Sequence, residues 1–202
     1  MARPREFDET TVLQAAMHCF WSRGYESTSV RDLAEQMGIT GASLYNAFGD
    51  KRSLYRRALD HYLEQSVHHR VDRCKQLPPY PAIRAFMDDI IERSVSDPEH
   101  RGCMLVNSAL EMAPHDPEFR EVVADELRYI EAFFHDCVAA GQNDGTITSV
   151  QSADALAKLL LGVLLGIRVL ARTRPQREVL EGVANGALGF LKIDASCRKE
   201  RV

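Results

Sequence analysis

Hydrophobic residues recur at intervals of three and four positions through most of the chain, and this spacing predicts α-helices. The first predicted helix follows Asp8, a suitable N-cap, and its hydrophobic positions include Val12, Ala16 and Phe20. Gly24 ends that pattern. The alternation of period two that is typical of half-buried β-strands is not convincing anywhere in the chain. The pattern therefore predicts an all-α protein.

Two shorter helices come next, and a three-residue turn separates them. Ser29 is the predicted N-cap of the first, which ends at Gly38, and Thr40 caps the second, which runs to Phe48. This is the form of a helix-turn-helix. In the second helix Leu44 and Phe48 are four residues apart and are expected to face inward. The residues left facing outward are Gly41, Ala42, Ser43, Tyr45 and Asn46.

Small residues at the start of a helix allow close approach to a major groove, and Ser, Tyr and Asn can contact bases or phosphates. The helix pair is therefore a candidate for reading DNA. Taken alone, the same pattern also fits two packed helices that bind no DNA.

The remaining helices are longer, and the clearest break before them is the proline-rich stretch Leu77–Pro81. A fourth helix is predicted to begin after Asp50 and to run to about residue 74. Five more are predicted at about 82–96, 102–112, 117–141, 152–173 and 176–191. About nine helices are expected in all.

Composition and charge exclude few functions. Hydrophobic residues make up 45% of the chain and charged residues 27%, which is ordinary for a soluble globular protein. Residues 1–60 are electrically balanced, so the whole net charge of −4 comes from the remainder. The five widely spaced cysteines suit reduced thiols, and the longest apolar run, Leu159–Ile167, is too short to span a bilayer. With no secretory signal at the start, a cytoplasmic protein is expected.

The helix-turn-helix stretch resembles the DNA-binding region of the TetR family of bacterial repressors. The resemblance is carried by Thr28–Ala34 (TSVRDLA) and Met37–Lys51 (MGITGASLYNAFGDK), and it extends back to Arg3-Pro4-Arg5. It covers about the first 60 residues, and the length and helix count also suit the family. The resemblance implies a helix-turn-helix domain over 1–50, a connecting helix over 51–76, and an effector-binding and dimerisation domain over 77–194.

The resemblance also implies roles for individual residues. Thr28 and Lys51 are expected to bind phosphates at the two ends of the motif, and Tyr45 to contact the DNA backbone. Arg3 and Arg5 are expected to form an arm that reaches DNA, although a disordered tail is an equal alternative. The recognition helix is expected to be lined by Thr40, Gly41, Ala42, Ser43 and Asn46. The chain departs from many relatives in having Gly41 where they carry a basic residue and Asn46-Ala47 where they carry His, so the operator cannot be deduced.

In this family the last two helices form a four-helix dimer interface, and two apolar faces are compatible with it. Their expected interface residues are Leu159, Leu160, Val163, Ile167, Val183, Ala187 and Leu188. A homodimer would double a weak half-site contact and would require an inverted-repeat operator. The alternative is that both faces are buried within their own subunit.

An unknown small-molecule effector is expected in the second half of the chain. Phe86, Phe133 and Met104 are candidates for an apolar pocket, and they would equally fill a plain core. Cys103 follows Gly102 near a helix start, and the stretch from 101 to 105 loosely resembles a branch of the family that senses electrophiles through a cysteine. A buried structural cysteine is the alternative.

No cofactor, metal site or catalytic constellation is recognised. Two groups of His and Cys residues lack a known ligand spacing, and these are His68, His69 and Cys74, and His100, Cys103 and His115. The sequence therefore predicts a ligand-responsive regulator, most simply a repressor, that binds double-stranded DNA and is not an enzyme. A helical protein-interaction module without DNA binding and a thiol-based sensor variant of the regulator are the alternatives.

Overall fold

The computed structural model describes residues 8–192, so Arg3 and Arg5 lie outside the described residues. Within that range every regular element is a helix, which confirms the all-α prediction. The consecutive elements Lys51–Leu63, the π-helical Glu64–His68 and His69–Cys74 make one continuous helix, here α4. With α4 counted once, this part of the chain has nine helices. The others are α1 (Glu9–Arg23), α2 (Val30–Met37), α3 (Gly41–Phe48), α5 (Pro79–Val95), α6 (Met104–Glu111), α7 (Pro117–Asn143), α8 (Ala153–Thr173) and α9 (Arg177–Gly189).

The first four helices begin at the predicted N-caps. Asp8, Ser29, Thr40 and Asp50 each accept a hydrogen bond from the backbone N–H three residues further on. Ser29 and Asp32 complete a capping box, in which the Asp32 carboxylate accepts from the Ser29 backbone N–H. Hydrogen bonds from Ser29 hold the pKa of Asp32 below its usual value. These local contacts determine where helices α1–α4 begin.

The fifth helix begins earlier than its pattern predicts. Its first residue is Pro79, and Pro81 also lies in its first turn, whereas the expected start was residue 82. A proline is tolerated there because the first backbone N–H groups of a helix have no partner within it. The proline-rich stretch is therefore partly the beginning of α5 and not wholly a linker.

The chain divides into two compact units that do not follow the order of the sequence. One contains the described residues up to Val67 together with Cys103–Val123, and the other contains His68–Gly102 and the residues from Ala124 onward. Helix α6, from the middle of the chain, thus belongs to the same unit as α1–α3. The domain boundaries expected from the sequence (1–50, 51–76 and 77–194) divide the chain by role, and they do not coincide with these two units.

The core of the first unit is aromatic. The Tyr55 ring packs edge-on against Phe20 and Tyr25, with centroids 4.9 and 5.1 Å away, and contacts Phe119 at 5.4 Å. The Tyr55 hydroxyl shares a 2.7 Å hydrogen bond with Ser108 of α6. Burial raises the pKa of Tyr55 to about 12, so the phenol is neutral at physiological pH. This cluster holds α1, α4 and α6 together beneath the helix-turn-helix.

The second unit contains the end of α4, all of α5, most of α7, and helices α8 and α9. Phe86, Phe133 and Phe134 form an aromatic cluster with centroids 5.2–5.5 Å apart. None of the helices within residues 8–192 is both long and apolar enough to cross a membrane.

Candidate nucleic-acid interface

Helix α3 has a buried face and an open face, as its pattern predicts. Leu44 has no exposed surface and Phe48 only 5%, so both pack inward. Tyr45 is 52% exposed. The open face also carries Thr40, Ala42 and Asn46, which are exposed, and Gly41 and Ser43, which are partly exposed. The open face therefore exposes side-chain hydroxyl groups and one side-chain amide, while the opposite face of the helix packs into the apolar core.

The turn before α3 depends on Gly38. Its φ of +64° is in the left-handed region, which glycine adopts readily, and the Ile39 backbone N–H closes the turn by donating to the Ala34 carbonyl at 3.0 Å. At the start of α3 a Cβ on Gly41 would meet nothing within 4 Å. The N-terminal end of α3 is therefore open to a close partner.

Lys51 lies at the start of α4, the helix that follows α3. Its Nζ is 4.2 Å from the centroid of the Tyr25 ring, a cation–π contact. The Tyr25 backbone N–H in turn donates to Glu111 Oε2 at 2.7 Å. Among the described residues Lys51 has no ion pair, so its charge remains available to a phosphate, although the Asp50 carboxylate already caps the first turn of α4.

Thr28 lies differently from the other predicted DNA contacts. It is completely buried, and its hydroxyl donates to the Gly24 carbonyl at 2.6 Å. In this arrangement the side chain ties the turn between α1 and α2. The sequence pattern identified the position but not the direction of its hydroxyl.

The arginines that follow Lys51 are held by carboxylates. Arg52 donates to Asp116 at 2.6 and 3.0 Å and to Glu118 at 2.6 Å, and these bonds lower the pKa of Asp116. Arg57 pairs with Glu9 of α1. Sequence reasoning missed the Arg52 contacts and the Glu111–Tyr25 bond, because the partners are more than 60 residues apart and no local pattern relates them.

The four candidate effector residues are distributed over both units. Cys103 (6% exposed) and Met104 (1%) belong to the first, where Cys103 is the N-cap residue of α6 and its Sγ accepts a 3.5 Å hydrogen bond from the Tyr62 hydroxyl. Phe86 and Phe133 belong to the second, with ring centroids 5.2 Å apart. A groove of about 430 Å³ beside Phe133 is lined by Lys75, Leu77, Pro79, Phe133, Asp136, Cys137 and Ala140. In the described part of the chain no three His, Cys, Asp or Glu residues are placed to share a metal.

The predicted dimer residues separate into two sets. Leu160, Ile167, Ala187 and Leu188 are buried within the chain itself. Leu159 is 39% exposed, and Val163 and Val183 are partly exposed. Further open positions on the same two helices are Gly162, Val169, Gly182 and Gly186. The surface left for a partner is thus narrower than the sequence pattern indicated.

Comparison with known proteins agrees with this arrangement. The family model "Bacterial regulatory proteins, tetR family" matches residues 12–58, and the model "Tetracyclin repressor-like, C-terminal domain" matches residues 79–187. The chain is 32% identical to the uncharacterised HTH-type transcriptional regulator YezE of Bacillus subtilis, over 95% of this chain and all of that one. It is 27% identical to the HTH-type transcriptional repressor ComR of Escherichia coli, over 92% of this chain and 90% of that one.

Solved structures match over nearly the whole length as well. A cysteine-substituted form of the TetR family regulator CifR, complexed with 26-base-pair operator DNA, is 36% identical with a TM-score of 0.84, over 94% of this chain and all of that one. A TetR regulator from Chloroflexus aurantiacus is 25% identical with a TM-score of 0.81, over 92% of this chain and 98% of that one. The chain therefore belongs to the tetR family of bacterial transcriptional regulators.

Proposed function

We propose that this protein is a repressor that binds a palindromic operator as a homodimer and is released by a small-molecule effector. The observation that supports it most is the open face of α3, which presents Thr40, Tyr45 and Asn46 above the buried Leu44 and Phe48. That face has the residue types and the exposure that major-groove reading requires.

In the proposed complex the N-terminal half of α3 enters the major groove. Gly41 and Ala42 allow the close approach, while Ser43 and Asn46 contact base edges. Tyr45, Thr40 and Lys51 contact phosphates and so position the helix. Thr28 acts indirectly by holding the turn to which it donates, and the arm of Arg3 and Arg5 adds backbone contacts.

The homodimer is proposed to form through the exposed parts of α8 and α9. Leu159, Val163 and Val183 are open to a partner, and neighbouring exposed glycines would let helices approach closely. Two copies place their recognition helices about one DNA turn apart, ~34 Å. The protein needs no catalytic activity for this role, and we place it in the cytoplasm with the DNA that it binds.

The effector is proposed to bind in the region 77–194, where its preference for one arrangement of the protein lowers the affinity for DNA. A thiol-based sensor variant is a second candidate, because Cys103 is the N-cap residue of α6 and accepts from Tyr62. Loss of the response to electrophiles in Cys103→Ser, with the effector-free affinity for DNA unchanged, would support it. An unchanged response would exclude it.

Selection of bound duplexes from a random pool, with purified protein at near-physiological salt, tests the main proposal. An enriched inverted repeat is expected. A folded protein that enriches no sequence would contradict the proposal and favour a helical interaction module. The purified repeat would then serve as the probe in a screen for effectors.

A further inference from the structure

Arg168, on α8, is a buried cation with very little to neutralise it. The residue is 6% exposed, and one guanidinium nitrogen donates to the Ser94 hydroxyl at 3.3 Å. Ser94 is 5% exposed and donates its own proton to the Ile90 carbonyl at 2.7 Å. A guanidinium has five N–H donors, so a single neutral acceptor at 3.3 Å leaves most of its capacity unused.

Two other arginines of the same unit, one buried and one partly buried, are paired with carboxylates. Arg70, 2% exposed, donates to the Asp89 carboxylate at 2.6 Å. Arg101 pairs with Asp97 at 2.9 Å. Across residues 8–192, no carboxylate lies within ion-pair distance of Arg168. A buried charge without a counter-charge is strongly unfavourable, so a position of this kind is suited to an anion from outside.

The surroundings of Arg168 indicate what kind of anion fits. Leu164, one helical turn before it, is 4% exposed, and Ile90, one turn before Ser94, is 1% exposed. The Gly102 backbone packs against the same part of α8, where an added Cβ would lie 3.3 Å from the Arg168 carbonyl oxygen. The same Cβ would lie 2.7 Å from Cγ of Arg172, so the neighbourhood combines apolar side chains with the Arg168 guanidinium, the Ser94 hydroxyl and the stem of a second arginine. A small molecule with an apolar body and one negative charge matches it.

We infer that Arg168 and Ser94 bind the carboxylate of the effector, which is therefore a small organic acid with an apolar body. The planar guanidinium can hold a carboxylate through two parallel hydrogen bonds, and Ser94 adds a hydroxyl at the edge. The inference rests on the proposed function, since it names the class of the molecule that releases the DNA.

Thermal unfolding with carboxylate probes tests the inference without DNA. Benzoate and octanoate are compared with benzyl alcohol and octan-1-ol, at constant pH and ionic strength, on the wild type, Arg168→Met and Arg73→Met. The acids are expected to raise the Tm of the wild type, and the alcohols to leave it unchanged. Arg168→Met should weaken acid binding at least tenfold. Arg73→Met removes an exposed arginine of the same unit, which pairs with Asp89, and should keep the full response.

The stability of the variants without ligand provides a second readout. Arg168→Met should unfold at the same Tm as the wild type or higher, because it removes an uncompensated buried charge and keeps the apolar stem. Arg70→Met should unfold at a lower Tm, because it breaks an ion pair with Asp89. A lower Tm for Arg168→Met would mean that the arginine has a structural partner and would overturn the inference.

Three results of the probe experiment would also overturn it. They are no shift with either acid in the wild type, an equal shift in Arg168→Met, and an equal shift with inorganic phosphate at the same ionic strength. Because none of these measurements uses DNA, their failure leaves the duplex selection unaffected. A protein that enriches no duplex but binds octanoate through Arg168 would retain the anion site and lose the repressor proposal.

Discussion

At the scale of single residues, Gly24 and Gly38 both have a positive φ, but their ψ angles of 170° and 28° and their surroundings differ. Their φ values are +83° and +64°, so a side chain at either position is strained. At Gly24 an added Cβ would lie only 2.7 Å from Glu111 Oε1, whereas at Gly38 it would meet nothing within 4 Å. A side chain at Gly24 therefore meets both a more strained backbone conformation and a steric clash, whereas one at Gly38 meets αL strain alone.

Gly38→Ala is expected to lower the free energy of unfolding by about 1 kcal/mol, through backbone strain alone. Gly24→Ala should lower it by about 2–3 kcal/mol, because its φ of +83° with a ψ of 170° is nearly confined to glycine and because the Glu111 carboxylate must also move from the Tyr25 backbone N–H. Urea denaturation of both variants measures the difference. Equal losses would contradict this account. In a Glu111→Ala background the loss at Gly24 should shrink but stay larger than the loss at Gly38, because the Gly24 backbone conformation is the more strained one.

Lys51 provides a prediction about DNA affinity. Lys51→Gln removes a phosphate contact, so the dependence of log affinity on log salt should become shallower by about 1 for each lysine lost. Binding to an enriched duplex and to a random duplex should weaken by similar factors, because a phosphate contact carries no sequence information. Fluorescence anisotropy over a range of salt concentrations measures both. Lys158→Gln, on α8, is the matched control and should leave the slope unchanged.

At the scale of elements, Asp89 joins the last part of α4 to α5. Burial alone would raise the pKa of its carboxyl, but hydrogen bonds from Arg70 and Arg73 outweigh burial and lower the pKa to about 2. Arg93 also contacts this carboxylate, at 3.0 Å. A folded-state pKa below the unfolded value means that the contribution to stability is complete above about pH 4 and is lost as the pH falls towards 2.

Asp89→Asn should therefore reduce the free energy of unfolding at pH 7 by about 3 kcal/mol, since it leaves the buried Arg70 without its carboxylate. The difference in unfolding free energy between the wild type and Asp89→Asn should decrease as the pH falls from 4 towards 2, because the wild type then loses the same interaction. Chemical denaturation at several pH values measures this. Asp60→Asn, which breaks only an exposed pair with Arg56, should cost under about 0.5 kcal/mol. A deficit that does not change with pH would contradict the ion-pair account.

Helix starts were predictable where the signal is local. Ser29 and Asp32 form both halves of a capping box within four residues, so the start of α2 is readable from the chain. The start of α5 was not, because Pro79 and Pro81 are usual in loops and equally acceptable in a first helical turn. Thr28 illustrates the same limit for the site, since its hydroxyl points to Gly24 for reasons of packing.

At the scale of the whole molecule, long-range contacts determine which helices belong together. The hydrogen bonds Tyr55–Ser108 and Arg52–Asp116 join α6 and the start of α7 to the unit that contains the helix-turn-helix. No periodicity or motif relates residues that far apart, so the sequence indicated only that α6 exists. The family resemblance was enough to predict the helix-turn-helix and its recognition helix. The packing of α6 against that domain could be seen only in the structure.

The proposed homodimer makes a prediction at Gly162 of α8. The residue is exposed, and an added Cβ would meet nothing within 4 Å, so Gly162→Leu should leave the fold of one chain intact. A larger side chain there should block close helix approach, so the variant should be monomeric and should bind the palindrome weakly. Light scattering after size-exclusion chromatography measures the mass. Val150→Asp, at an exposed position before α8, should remain dimeric. A dimeric Gly162→Leu would place the interface elsewhere.

The most direct test of the central claim, that α3 reads DNA, is duplex selection repeated with Asn46→Ala. Asn46 is exposed on α3 and is proposed to contact a base edge, so its loss should relax the preference at the same position in both half-sites. Each relaxed position should cost about 1–3 kcal/mol of discrimination, while binding to random duplexes stays nearly unchanged. An enriched sequence identical to that of the wild type at every position would contradict the proposed role of Asn46 in base reading.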